Sequence, residues 1–167
     1  MPGTGMSRTS PTIVWLRRDL RLADHAPLLA ACQNGGPVIP VFIHDDDVDL
    51  LGAAPKWRLG LALENLARQF EQKGSRLILR RGKALETLQE MIRETGATDV
   101  HWTRHYDPRA SVRDKPNKTI LKDLGFAAHS QSGHLLFEPW TVEPKSGGFY
   151  RVYSPMWRAV KDRDVAA

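Results

Sequence analysis

The chain has 167 residues, 41% of them apolar and 26% charged, enough for a single domain with a sizeable core. Its 24 Lys and Arg against 19 Asp and Glu leave a net charge of +5, which favours an acidic partner without requiring one. No apolar run approaches the ~20 residues that span a bilayer, and the single cysteine fits a reducing cytoplasm.

Residues 1–11 are rich in Gly, Ser and Thr and are expected to form a disordered leader rather than a secretory signal, with Met6 an alternative start. Ile13-Val14-Trp15-Leu16 then reads as a strand buried on both faces. It runs straight into Arg17-Arg18-Asp19-Leu20-Arg21, where a parallel sheet presents its ligand-facing loop. By pattern alone, charges that merely pair to hold the loop are an equal alternative. Asp24 is the expected N-cap of a short helix carrying Leu28, Leu29 and a buried Cys32. After Asn34-Gly35-Gly36-Pro37, a second buried strand over 38–43 closes on His44-Asp45-Asp46-Asp47.

The best helix follows. Leu59, Leu63, Leu66 and Phe70 form a stripe at spacings of four, three and four, with Gly74 as its stop. Residues 76–80 give a third strand, and Leu85, Leu88 and Ile92 mark another amphipathic helix ending near Gly96. Residues 99–103 are the fourth strand, with the loop Arg104-His105-Tyr106-Asp107-Pro108-Arg109. Pro116 interrupts the next helix, which is expected to start late or kink. A fifth strand is expected over 126–130.

Strands and helices alternating at this rhythm predict a doubly wound α/β domain over 12–130, a five-stranded parallel sheet in the order 3-2-1-4-5. That order puts a topological switch between strands 1 and 4, so the charged loops after strands 1, 2 and 4 should converge on one crevice. Residues 131–167 form an extension dense in aromatics, which either pack back on the domain or await a partner. There is no nucleophile–base pair, P-loop or Gly-x-Gly-x-x-Gly fingerprint, so no catalytic residue is assigned. His101 and His105 are four apart on a strand and its exit loop, an arrangement not expected to bind metal.

Four segments carry a family resemblance. They are Val14-Trp15-Leu16-Arg17-Arg18-Asp19-Leu20-Arg21-Leu22-Ala23-Asp24-His25, Lys73-Gly74-Ser75-Arg76-Leu77, residues 102–107 with Arg113-Asp114, and Leu135-Leu136-Phe137-Glu138-Pro139-Trp140 with Tyr150-Arg151-Val152-Tyr153-Ser154-Pro155-Met156-Trp157. Over residues 12–160 the chain resembles the amino-terminal domain of the DNA photolyase and cryptochrome family. The resemblance implies a light-harvesting domain that binds an antenna chromophore, a folate, a deazaflavin or FMN. Family members hold FAD in a second, helical domain, where light drives repair of pyrimidine dimers in UV-damaged DNA. The chain is expected to stop at the linker into that domain and so not to repair DNA by itself. Self-association through the aromatic extension is a further expectation.

The resemblance also nominates antenna contacts: Arg18 and Asp19 in the first loop, and Phe42, Ile43, His44 and Asp45 at the end of the second strand. Trp57 and Arg58 open the following helix, and His105 and Asp107 follow strand 4. Flat rings pack on Phe or Trp, and phosphate or carboxylate tails pair with Arg. The plain alternatives stay open: Phe42 and Ile43 as core, Trp57 as helix packing, and residues 45–47 as a solvated acidic turn. Where folate-binding relatives carry Asn-Glu this chain has Arg109-Ala110, and where deazaflavin-binding relatives carry an acid it has His105. The alternatives are the same domain of a cryptochrome photoreceptor, or a nucleotide-binding α/β domain without light chemistry.

Overall fold

The structure, a computed structural model, describes residues 10–144 and 146–165. Residues 1–9 of the expected leader lie outside them. Twelve elements follow in chain order. The first six are β1 (Thr12–Leu16), α1 (Ala26–Gln33), β2 (Val38–His44), α2 (Asp46–Asp49), α3 (Ala53–Glu71) and β3 (Ile78–Arg81). Then come α4 (Ala84–Thr95), β4 (Asp99–Thr103), α5 (Pro108–Asp123), β5 (Ala127–Gln131), a 3-10 turn at Pro139–Thr141, and α6 (Tyr153–Val160).

The five strands pair in parallel in the order β3-β2-β1-β4-β5, as the alternation predicts. Strand β1 is central and wholly buried, and its alternating side chains feed two layers. Ile13 and Trp15 join Val41, Ile43, Val100 and Trp102 beneath Leu88, Met91 and Ile92 of α4 and Leu121 of α5. Val14 and Leu16 point the other way, against Ala31 of α1 and Leu66 and Phe70 of α3. Leu66 and Phe70 of the stripe read from the sequence are thus the part that α3 buries on the sheet, while Leu59 and Leu63 are only half-buried. Gly96 closes α4 at φ 69°, a left-handed position that costs a residue with a Cβ about 1 kcal/mol.

Several local readings need correction. Asp24 is not the cap of α1; it sits at φ 49°, and His25 takes that role, with its Nδ1 accepting from Leu28 N at 3.1 Å. Cys32 is exposed, because α1 is short and only Pro27 and Ala31 are fully buried. Strand β3 is a largely exposed edge over 78–81, one to two residues later than read. Pro116 neither delays nor ends α5, which runs through it from Pro108.

Candidate functional site

The site begins where β1 ends. Arg17 leaves the strand and turns back over Trp15, its guanidinium carbon 4.5 Å from the ring centroid. It donates to Asp114 of α5 at 2.6 Å and to the carbonyl oxygen of Thr103 at the end of β4. Arg113, the neighbour of Asp114, also lies over Trp15 at 5.2 Å. It donates to Asp114 at 2.9 Å and to Asp45 at 2.7 Å, and it also pairs with Asp47. The loops after β1 and β2 and the first turns of α5 are thus tied into one charge network at the carboxyl end of the sheet.

Asp19 anchors the network from below and is 2% exposed. Its Oδ1 accepts from Arg17 N at 2.9 Å and its Oδ2 from the Thr103 hydroxyl, and His25 Nε2 lies 2.9 Å from that same Oδ2. Burial pushes the Asp19 pKa up, but these partners outweigh it and hold the carboxyl well below the usual range. Burial lowers the Arg17 pKa against the pull of Asp114. Burial likewise raises that of Asp45, with Arg113 opposing.

Above this base lies an open cleft of about 420 Å³. Phe42, Leu20, Leu51, Pro55, Leu59 and Ala62 supply an apolar wall from β2, the loop after β1, and the start of α3. Arg17, Arg18, Arg58 and Arg113 supply the cationic side, with Asp45 and Asp47 at the floor. His105 also lines the cleft; burial, then Arg17 and Arg18, push its pKa down to about 4, so the ring is neutral at pH 7. Its Nε2 is buried and has no hydrogen-bond partner.

Six of the ten nominated contacts therefore line one cleft: Arg18, Phe42, Ile43, Asp45, Arg58 and His105. The other four do not. Asp19 is beneath the floor, bonded as described. His44 points to Asp49 at 2.8 Å. Trp57 is 65% exposed and is not among the residues that line the cleft. Asp107 caps α5 through Ala110 N at 3.0 Å and meets Arg18 at 3.4 Å. Sequence reasoning missed Arg17, Arg113 and Leu59 as cleft residues. Arg113 and Asp114 carry part of the family resemblance, but their place on a helix hides that Arg113 reaches the loop after β2 and Asp114 the loop after β1.

The cleft fits a planar, anionic ligand: a face for a ring, arginines for acidic groups, and an unpaired ring nitrogen for one polar contact. Comparison with known proteins gives it a family. The DNA photolyase family model matches residues 12–166. The chain belongs to the DNA photolyase family. A deoxyribodipyrimidine photo-lyase of Agrobacterium fabrum is 48% identical over 157 residues, covering 94% of this chain and 33% of that one. Cryptochrome-2 of Arabidopsis thaliana is 34% identical, covering 96% of this chain and 27% of its own length. Among solved structures, a class III photolyase of Agrobacterium tumefaciens superposes with a TM-score of 0.91 at 46% identity, over 98% of this chain and 34% of that one. An archaeal photolyase of Sulfolobus tokodaii, solved with two FAD molecules and discussed for a novel light-harvesting cofactor, gives 0.75 at 25% identity, over 93% and 36%. The chain thus spans about a third of the length of the photolyases it matches.

Proposed function

We propose that this chain is the light-harvesting α/β domain of a deoxyribodipyrimidine photolyase. In that reading residues 12–130 form the antenna domain, and 131–167 lead towards a separate helical domain that holds FAD. The cleft at the carboxyl end of β1 and β2 takes the antenna, a folate, a deazaflavin or a flavin. The observation that carries the reading is the two-sided lining, with Phe42 and Leu59 for a ring and Arg18 and Arg58 for its acidic tail. A bound antenna would absorb light and pass the excitation to FAD. The chain's own residues bind the ring, fix its orientation through the arginines, and screen it from water with the apolar wall. UV-damaged DNA is the substrate of the full-length protein, acting in the cytoplasm. No helix among the described residues is long and apolar enough to cross a membrane.

The experiment is an action spectrum for light-driven repair of pyrimidine dimers by the full-length protein. An antenna band beyond that of FAD is expected, and it should vanish in Phe42→Ala while repair under direct FAD excitation persists. A spectrum that follows FAD alone would contradict the antenna. The 34% identity to a cryptochrome keeps the photoreceptor branch as a second reading, which absence of dimer repair by the full-length protein would favour. Tight ATP or AMP binding in the same cleft would instead support a nucleotide-binding domain without light chemistry.

A further inference from the structure

A second cluster of side chains lies away from the cleft, on the α1 side of the sheet. Asp99 and His101 are two residues apart on β4 and so share a face. The β4–β5 register sets His129 directly beside His101. The two imidazole rings stack at 4.6 Å, and His129 Nε2 is 3.8 Å from Asp99. One ligating atom from each of the three residues lies within 4.8 Å of the other two.

His101 is 4% exposed, and its Nε2 is buried without a hydrogen-bond partner. Its Nδ1 is 2.8 Å from the side-chain nitrogen of Gln131, two residues beyond His129, while Gln131 Oε1 is also buried and unbonded. The Gln131 amide can equally be placed turned over. Oε1 then accepts from Nδ1–H, and Nε2 is left with a free lone pair. This is how a carbonyl oxygen orients a metal-ligating histidine.

We infer that Asp99, His101 and His129 form a site for a divalent transition-metal cation of the zinc class. Two imidazoles and one carboxylate make the donor set of zinc sites that keep a fourth position for water. The same set disfavours magnesium and calcium, which take oxygen ligands. His101 and Asp99 are fixed by the sheet. His129 is half-exposed and closes the site by swinging off its stack, bringing the donors to the ~3.4 Å separation of a tetrahedral centre with bonds near 2.1 Å. The partner of His101 is thus the cross-strand His129 rather than His105 in the following loop.

The test is calorimetric titration of the 167-residue chain with ZnCl2, with MgCl2 in parallel, and Co2+ as a visible-absorption probe of geometry. One saturable zinc equivalent is expected, with a tetrahedral cobalt spectrum and no response to magnesium. His129→Ala, at a half-exposed position and with its fold checked by circular dichroism, should weaken zinc at least about tenfold. Gln131→Leu should weaken it by roughly 10- to 100-fold. His44→Ala, at the other His–Asp pair, should leave the tight equivalent unchanged. No saturable zinc binding, or binding that survives His129→Ala unchanged, would overturn the site.

Discussion

His105 is the cleft residue whose protonation state is most displaced. Its pKa of about 4 lies below the ~6.5 of an unfolded chain, so between these values the unfolded state binds more protons. Stability contributed by the neutral ring is therefore present above pH 6.5 and lost as the pH falls towards 4. Allowing for partial screening, the loss is about 1–2 kcal/mol. Urea unfolding at pH 7 and pH 4.5 checks this: His105→Gln, which lacks the titrating group, should show a smaller acid loss than the parent chain. Equal losses would mean that burial and the two arginines do not displace the ring. The structure places this nominated ring in the cleft lining, where His134 is its aromatic neighbour with ring centroids 5.2 Å apart and its Nε2 is left without a hydrogen bond. Asp19, His44 and Asp107 are instead bonded to Thr103, Asp49 and the α5 amide.

At the scale of elements, α5 contains the clearest local conflict. Pro116 sits in the exposed interior of a 16-residue helix, where it removes one backbone hydrogen bond and crowds the preceding turn. The helix persists because Asp107 caps it, Arg113 and Asp114 tie its first half to β1 and β2, and Leu121 buries its second half. Tertiary contacts outweigh propensity here. Pro116→Ala should therefore stabilise the chain by about 1–3 kcal/mol, read as a rise in Tm; an unchanged or lower Tm would contradict this.

The contrast marks what the sequence makes legible. Strand order and α3 were readable because buried strands and 3.6-residue periodicity carry their own signal, in Ile13–Leu16 and in the stripe whose Leu66 and Phe70 reach the core. The convergence of the three charged loops followed from that order. The Arg17–Asp114–Arg113–Asp45 relay did not, because its partners are separated by up to 97 residues and no local pattern encodes them. The exposure of Cys32 was hidden for a related reason: the apolar run of α1 exceeds the face that the sheet covers.

At the scale of the molecule, exposed apolar side chains are densest in the extension. Leu136, Trp140, Phe149, Val152, Tyr153 and Trp157 are all exposed in the extension, whereas β1 and the two layers around it are closed. Tyr153 and Trp157 stack in parallel on one side of α6, with ring centroids 6.2 Å apart. A patch of this kind on a chain with a third of its relatives' length should draw copies together. Sedimentation of the 167-residue chain should show concentration-dependent association that Trp157→Lys weakens. A monomer at every concentration would show that the extension tolerates water as it stands.

The most direct measurement is titration of this chain with folate, deazaflavin and FMN in turn, followed by absorbance and fluorescence. Saturable binding of one of them at a single site is expected, weakened at least about tenfold by Arg58→Ala and by Phe42→Ala, since each removes one of the two walls. No saturable binding of any of the three, or binding indifferent to both substitutions, would contradict a chromophore cleft at the carboxyl end of β1 and β2.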